Sequence, residues 1–269
     1  MKQKILALGL ACAASLTLLA GCGSKNTGVT LKVGATPTPH AEVLAVVREE
    51  LARQDITLEI VEFTDYIQPN EAVESGQLDA NYFQHITYMD SFNLDNGTHL
   101  VSVAAIHYEP FGIYAGKTAA LDALPDGATV GIPSDPTNGG RALLLLQEQG
   151  LIALPSDIGL EPTRLDIVEN PRNLEIVEMD AAQLPRSLDS LDVAVINGNY
   201  ALQADLKVED ALAIESAGGT AGTAYANIIT VKEGNENNEA ILALVAALKS
   251  DAVKAHIEST YGGAVVPVF

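Results

Sequence analysis

From Leu31 onward, short apolar runs of period two alternate with longer runs of helical period, strand then helix then strand, through the rest of the chain. Nothing else in the sequence restricts the fold as strongly. A βαβα succession commits its strands to a largely parallel sheet with helices on both faces. Leu31, Val33 and Ala35 alternate as a first strand that stops at Thr36-Pro37-Thr38-Pro39. Ala41 to Gln54 follows with Val43, Val47 and Leu51 on one helical face, and Ile56 to Phe63 reads as a second strand. Asn70 to Ser75 is a short helix, Leu78 to Tyr82 a strand, Ile86 to Phe92 a helix and His99 to His107 a long strand. In the second half, strands are predicted at Ala128–Pro133, Asp166–Val168, Leu174–Met179, Val193–Asn197 and Tyr225–Val231. The intervening helices are Asn138–Gln149, Ala181–Leu188 with Pro185 interrupting it, and a closing helix from Asn238 to Tyr261.

A chain of 269 residues has room for two such units. Ile106–Ala115 and Ala224–Val231 are placed to cross between them, which makes the first unit discontinuous. The expected organisation is an α/β protein of two lobes. Residues 31–110 and 226–269 form lobe one, residues 111–225 form lobe two, and the crossovers act as a hinge.

Residues 1–21 are a different material. Lys2 and Lys4 precede an apolar run from Ile5 to Ala20, and Leu19-Ala20-Gly21-Cys22 closes it. This is the pattern of a bacterial lipoprotein signal, in which the cysteine is lipidated on its thiol and becomes the first mature residue. Cys12 then leaves with the leader and Cys22 carries lipid, so no thiol remains for catalysis, a disulfide or a metal. Residues 22–30 are a lipidated cysteine and short polar tether. Beyond the leader, no stretch reaches the roughly 18 apolar residues a spanning helix needs. The chain is expected outside the cytoplasm, held to the membrane by lipid alone.

The formal charge of -20 argues against nucleic acid, because neutralising phosphates needs a basic face. It argues equally against docking on anionic lipid. No G-x-S-x-G elbow, H-E-x-x-H pair or phosphate-binding P-loop occurs, and neither an enzyme nor a cofactor is expected.

In sheets of this type, ligands bind beyond the carboxyl ends of strands. The candidate loops are therefore Thr36–His40, Phe63–Tyr66, Ala80–Tyr88, Pro133–Arg141 and Asn197–Tyr200. The most telling is the run from Ile132 to Gln147. Ser134, Asp135, Pro136 and Asn138 supply turn and cap chemistry, Gly139 and Gly140 allow close backbone approach, and Arg141 opens an apolar helix. Unpaired N–H groups at a helix start beside a guanidinium suit a carboxylate. An ordinary capped helix with Arg141 in solvent fits the same residues.

Two other groups of residues bear on that choice. Tyr66, Phe83, His85 and Tyr88 concentrate rings in a chain that is only 5% aromatic and has no Trp, and they suit an apolar or thioether pocket or simply a core. Asn197 ends an apolar strand in Asn197-Gly198-Asn199-Tyr200, and Asn227 sits inside another apolar strand. Buried amides need partners, and their mixed donors and acceptors match the two ends of a zwitterion. An Arg141–carboxylate bond of this kind contributes roughly 1.5–3 kcal/mol. The rival ligand is a metal ion, which His40, His85 and His107-x-Glu109 would have to converge to hold, with Arg141 repelling it.

Four runs carry a family resemblance: EFTDYIQPNEAVESGQLDANYFQH (Glu62 to His85), IPSDPTNGGRALLLLQEQGLI (Ile132 to Ile152), VENPRNLEIVEMDAAQLPRSL (Val168 to Leu188) and VINGNYAL (Val195 to Leu202). With them the chain resembles the NlpA-type lipoproteins, substrate-binding lipoproteins of methionine ABC importers. The resemblance implies a periplasmic-binding-protein fold of type II character, with two crossover strands. It also implies a cleft for methionine and docking to a permease driven by a cytoplasmic ATPase, with the binding protein itself a monomer. By position it puts the carboxylate grip on Arg141, amide contacts on Asn197 and Asn227, and the side-chain pocket on Tyr66, Phe83, His85 and Tyr88. Asn138 and Glu109 are further ligand-binding candidates, and the TPTPHAE run places His40 at the cleft rim. Family members tuned to D-methionine or short methionine peptides leave the choice among these ligands open, and a metal-delivering lipoprotein is the alternative.

Overall fold

The computed structural model describes residues 28–216 and 221–269. The leader and Cys22 lie outside the described residues. In chain order the strands are β1 (Val29–Ala35), β2 (Ile56–Glu62), β3 (Ala80–His85), β4 (Leu100–Tyr108), β5 (Gly112–Ala115), β6 (Thr129–Pro133), β7 (Glu175–Met179), β8 (Val193–Ile196), β9 (Ala213–Ile214), β10 (Ala226–Lys232) and β11 (Val266–Pro267). The helices are α1 (Glu42–Val46), α2 (Arg48–Ala52), α3 (Gln68–Glu74), α4 (Ile86–Asn96), α5 (Pro136–Glu148), α6 (Leu184–Ser187), α7 (Gly198–Gln203), α8 (Ala221–Ala224), α9 (Glu239–Leu248) and α10 (Asp251–Tyr261).

The strands form two sheets with the same internal wiring. One has the order β2-β1-β3-β10-β4-β11, the other β7-β6-β8-β5-β9. In each, one strand lies between two parallel neighbours, β2 and β3 around β1, β7 and β8 around β6. The fourth position is taken by a strand arriving from the other unit, β10 or β5, and it pairs antiparallel. The sheets are therefore mixed, not largely parallel. A strand that has just crossed over enters its new sheet from the opposite end, and antiparallel pairing follows.

Both faces of each sheet are covered, as the βα rhythm requires. On one face of the first, Leu31, Val33 and Ile229 pack with Leu44, Leu51, Leu244, Leu248 and Ile257 from α1, α2, α9 and α10. On the other, Phe83 and Ile228 meet Val73, Met89 and Phe92 of α3 and α4. In the second sheet Val130, Ile132 and Val195 pack under Leu143 and Leu146 of α5, while Ala194 and Ile196 meet Leu184 and Tyr200. Each such aliphatic side chain contributes roughly 1.5–3 kcal/mol on full burial.

Three predicted elements differ. The helix expected over Ala41–Gln54 is an irregular turn, Pro37–Ala41, followed by α1 and α2, with Val47 at φ -94° and ψ 0° between them. Two β-branched residues, Val46 and Val47, meet at that break, where helix propensity is low. The closing helix is α9 and α10, because Ser250 caps a new start by accepting the Val253 N–H at 3.4 Å. Asp166–Val168 is no strand: Thr163 and Asp166 form a capping box around a single 3₁₀ turn, Arg164–Asp166. Among the described residues, no helix is long and apolar enough to cross a membrane.

Candidate functional site

The carboxyl ends of β1, β2 and β3 face those of β6 and β8, and the predicted loops meet between the two sheets. The cavity there is lined by Tyr66, Phe83, His85, Tyr88, Glu109, Asn138, Arg141, Asn197 and Asn227, with Gln84, Gly198 and Asn199. All nine residues predicted to bind ligand thus reach one cavity.

The start of α5 is built for tight placement. Asp135 caps it, accepting the Asn138 N–H at 2.9 Å and the Asn138 side-chain amide at 2.9 and 3.1 Å. Gly140 has to be glycine: a Cβ there would lie 2.7 Å from the Glu161 Cα and 2.7 Å from the Leu160 oxygen. With that face pressed against the 160–162 segment, Asn138 and Arg141 are directed to the cavity and buried.

Arg141 differs from expectation in one respect. Its fork is already engaged by Glu215, with Nε donating to both carboxylate oxygens at 3.1 Å and Nη2 to Oε2 at 2.6 Å. Nη2 also donates to the Glu109 backbone oxygen at 2.9 Å, and the guanidinium lies 4.2 Å from the Tyr225 ring centroid. Burial works against the Arg141 charge and the Glu215 carboxylate more than restores it. Neither a solvent-facing arginine nor a wholly free grip describes this side chain.

Asn138 joins the two sides. Its Oδ1 accepts from His85 Nε2 at 3.2 Å and from Asn197 Nδ2 at 2.8 Å. His85 Nδ1 in turn accepts the Tyr88 N–H at 3.1 Å and caps α4. This arrangement assigns the proton to Nε2. Burial, with Arg141 adding to it, lowers the His85 imidazole to about 3. Further bonds cross the cleft: the Tyr66 hydroxyl donates to Asn199 Oδ1 at 2.6 Å and the Tyr200 hydroxyl to the Thr64 oxygen at 3.2 Å. The two sides are closed on each other.

Beneath the cavity, Asn227 lies in register with His85 on one side and His107 on the other. His40 Nε2 donates to Asn227 Oδ1 at 3.0 Å, while the Thr36 hydroxyl donates to His40 Nδ1 at 2.6 Å. His107 Nε2 donates to Glu109 Oε1 at 2.7 Å, and the Tyr82 hydroxyl donates to His107 Nδ1. Burial lowers His40 to about 4 and His107 to about 3, so both are neutral at pH 7. Burial pushes the Glu109 carboxyl up, against the opposing pull of His40, the Asn199 N–H and Arg141. His40 is thus behind the site, not at its rim. His40, His107 and Glu109 do converge, but His85 turns away to Asn138, and the imidazole nitrogens of the trio already have hydrogen-bond partners.

The opposite wall is aromatic. The Tyr66 ring lies 5.6 Å from Phe83, 5.7 Å from Tyr88 and 4.9 Å from Tyr200. Tyr200, Asn199, Tyr225 and Glu215 complete the site without having been singled out as ligand contacts from the sequence. Asn199 and Tyr200 belong to the amide-rich run that marks Asn197, and Tyr225 adjoins Asn227. Glu215 is one acid among many in an acidic chain and carries no sequence signal. Asn197 Oδ1, Asn199 Nδ2 and the Tyr225 hydroxyl are buried without a hydrogen-bond partner. Orphaned groups cost roughly 1–3 kcal/mol each, and their clustering here marks where a polar ligand would be held.

Two α/β units of identical wiring, joined by crossovers and closed over a polar and aromatic cavity, define a two-lobed substrate-binding protein, a binding protein and not an enzyme. The chain belongs to the NlpA lipoprotein family, whose model matches residues 31–269. It is 42% identical over 254 residues to the D-methionine-binding lipoprotein MetQ of Salmonella typhimurium, covering 92% of each chain. It is 41% identical over 240 residues to membrane lipoprotein TpN32 of Treponema pallidum, covering 88% of each. Among solved structures, a nutrient-binding protein of Burkholderia cenocepacia bound to methionine superposes with a TM-score of 0.84 at 43% identity, covering 89% of this chain and 100% of that one. The metal-delivering alternative has no support in these relatives.

Proposed function

We propose that this protein captures methionine outside the cell and delivers it to an ABC permease powered by a cytoplasmic ATPase. The observation that carries the reading is the polarity of the cavity. Arg141, Glu109 and orphaned amide atoms of Asn197 and Asn199 stand at one end, and Tyr66, Phe83 and Tyr88 at the other. In this reading the ligand carboxylate meets Arg141, the unpartnered Asn199 Nδ2 and the second N–H of the Asn197 amide. The ammonium meets the Glu109 carboxylate and the oxygens of Asn197 and Asn227. The thioether lies against the rings, where sulfur–aromatic contact contributes roughly 0.3–1.5 kcal/mol. His85 holds Asn138 and Tyr88 in place on either side of it.

Binding and release follow opening and closing of two lobes, residues 31–110 with 226–269 against residues 111–225, about the crossovers. The protein acts as a monomer, anchored after export by lipid on Cys22 once residues 1–21 are removed. Relatives that include lipoproteins named for methionine binding support the ligand, and the permease follows from the family.

Mass spectrometry of natively purified and then denatured protein tests the reading. Methionine in the released fraction, at close to one equivalent, is the expected result. A bound metal with no amino acid overturns it.

A further inference from the structure

Arg141 presents two edges, and only one is available. Glu215 occupies Nε and Nη2 at 3.1, 3.1 and 2.6 Å, and the Glu109 backbone oxygen takes a further bond from Nη2 at 2.9 Å. Nη1 has no hydrogen-bond partner among the described residues, although the side chain lines the cavity. Glu215 is held in turn by the Tyr108 hydroxyl at 2.5 Å, at the end of β4. Arg141 is buried and Glu215 nearly so, at 4% and 10% side-chain exposure. Glu215 immediately follows β9, outside the cavity lining, so it acts on the guanidinium from behind.

The charges around the cavity do not favour an anion. Among the described residues lining the cavity Arg141 is the cation, and it faces the carboxylates of Glu215 and Glu109, while His85, His40 and His107 are neutral at pH 7. We propose that Glu215 is a specificity-determining residue: by neutralising Arg141 from behind, it restricts the site to ligands whose carboxylate is accompanied by their own positive charge. A free arginine would hold any monocarboxylate of the right shape. An arginine already paired gives a carboxylate hydrogen bonds through Nη1 but little net attraction, so the ligand ammonium becomes obligatory. The inference rests on the methionine reading and concerns how that ligand is told from a hydroxy acid of the same shape.

The test compares L-methionine with 2-hydroxy-4-(methylthio)butanoate, which keeps the carboxylate and thioether and has a hydroxyl in place of the ammonium. Both are titrated calorimetrically into wild-type protein and Glu215→Gln, which has the same shape without the charge. Removing a unit charge one guanidinium away from the ligand carboxylate is worth at least about tenfold in binding at the effective permittivity of a protein interior. Hydroxy-acid binding is therefore expected to tighten about tenfold or more in Glu215→Gln and methionine binding to tighten less, because its ammonium loses the attraction of the same carboxylate. The preference for methionine shrinks accordingly, and it persists in Glu215→Asp. Glu215→Ala gives the same comparison should the glutamine variant not fold. Equal losses for both ligands would make Glu215 a mere support for Arg141 and overturn the inference, as would an unchanged preference. If wild-type protein binds no methionine, the functional reading itself fails and the inference with it.

Discussion

The Nε2 of His85 and the Oδ1 of Asn138 meet at 3.2 Å across the cleft, one from the end of β3 and the other from the first turn of α5. The same oxygen accepts from Asn197 Nδ2 at 2.8 Å, so a single amide ties the end of β8 to both. Asn138→Ala leaves two buried donors without that acceptor and removes one of the two side-chain donors to the Asp135 cap. Each stranded group costs roughly 1–3 kcal/mol, chiefly in the closed form. Methionine affinity is expected to fall at least about tenfold, as read by calorimetry. Unchanged affinity would remove Asn138 from the closing contacts.

Arg141→Ala is expected to do more than abolish binding. Because the guanidinium is the charge partner of Glu215, the variant leaves a largely buried carboxylate held by the Tyr108 hydroxyl alone. Breaking a buried pair in this way costs roughly 3–5 kcal/mol. Urea denaturation of unliganded Arg141→Ala should show a loss of that order, and the double variant Arg141→Ala/Glu215→Ala should recover part of it without recovering binding. A ligand-free stability equal to wild type would show that the pair is not formed in solution.

The aromatic wall makes a different demand on the ligand. Tyr88→Ala removes a ring that stands 5.7 Å from Tyr66 and 6.1 Å from Phe83. Methionine should lose affinity by about tenfold more than alanine does, because only methionine places a thioether there. Equal losses for the two amino acids would take the side-chain pocket out of the account.

Acid should weaken the fold before it reaches the surface carboxylates. Burial holds His40 near 4 and His85 and His107 near 3, against 6.5 for a free imidazole. Between those values the unfolded chain binds more protons than the folded one, so stability is complete above about pH 6.5, falls on acidification and is lost through the folded values. Glu109, Asp135 and Asp90, pushed up by burial, work in the opposite sense, since the folded state takes up their protons first. The imidazole penalty opens first, because the unfolded imidazoles begin to take up protons near pH 6.5, above the ordinary carboxylate range, and the melting temperature of unliganded protein should decline from about pH 7 to about pH 5. His85→Gln should make that decline shallower. A flat profile over the interval would mean that the imidazoles are not buried as neutral groups.

Much of this site was legible from local sequence. Loops after strands, a capped helix opening on Arg141, and amides at the ends of apolar runs each follow from short-range chemistry, and the nine ligand-binding residues they nominate reach one cavity, with His40 behind it. What escaped depended on distance or on background. Glu215 meets Arg141 across 74 residues and looks like any other acid in a chain with 35 of them. His40 lies beneath Asn227 because of a pairing across 187 residues. The break at Val47 and the new cap at Ser250 are single-residue events inside continuous apolar periodicity, and a periodicity reading spans them.

The most direct test of the central claim is a calorimetric titration of L-methionine into protein that has been unfolded, freed of ligand and refolded. Saturable binding with a stoichiometry of about one, lost in Arg141→Ala, is expected, and the same experiment ranks D-methionine and methionyl dipeptides. No heat from any of these ligands, in protein whose refolding is shown by a cooperative melt, would contradict it.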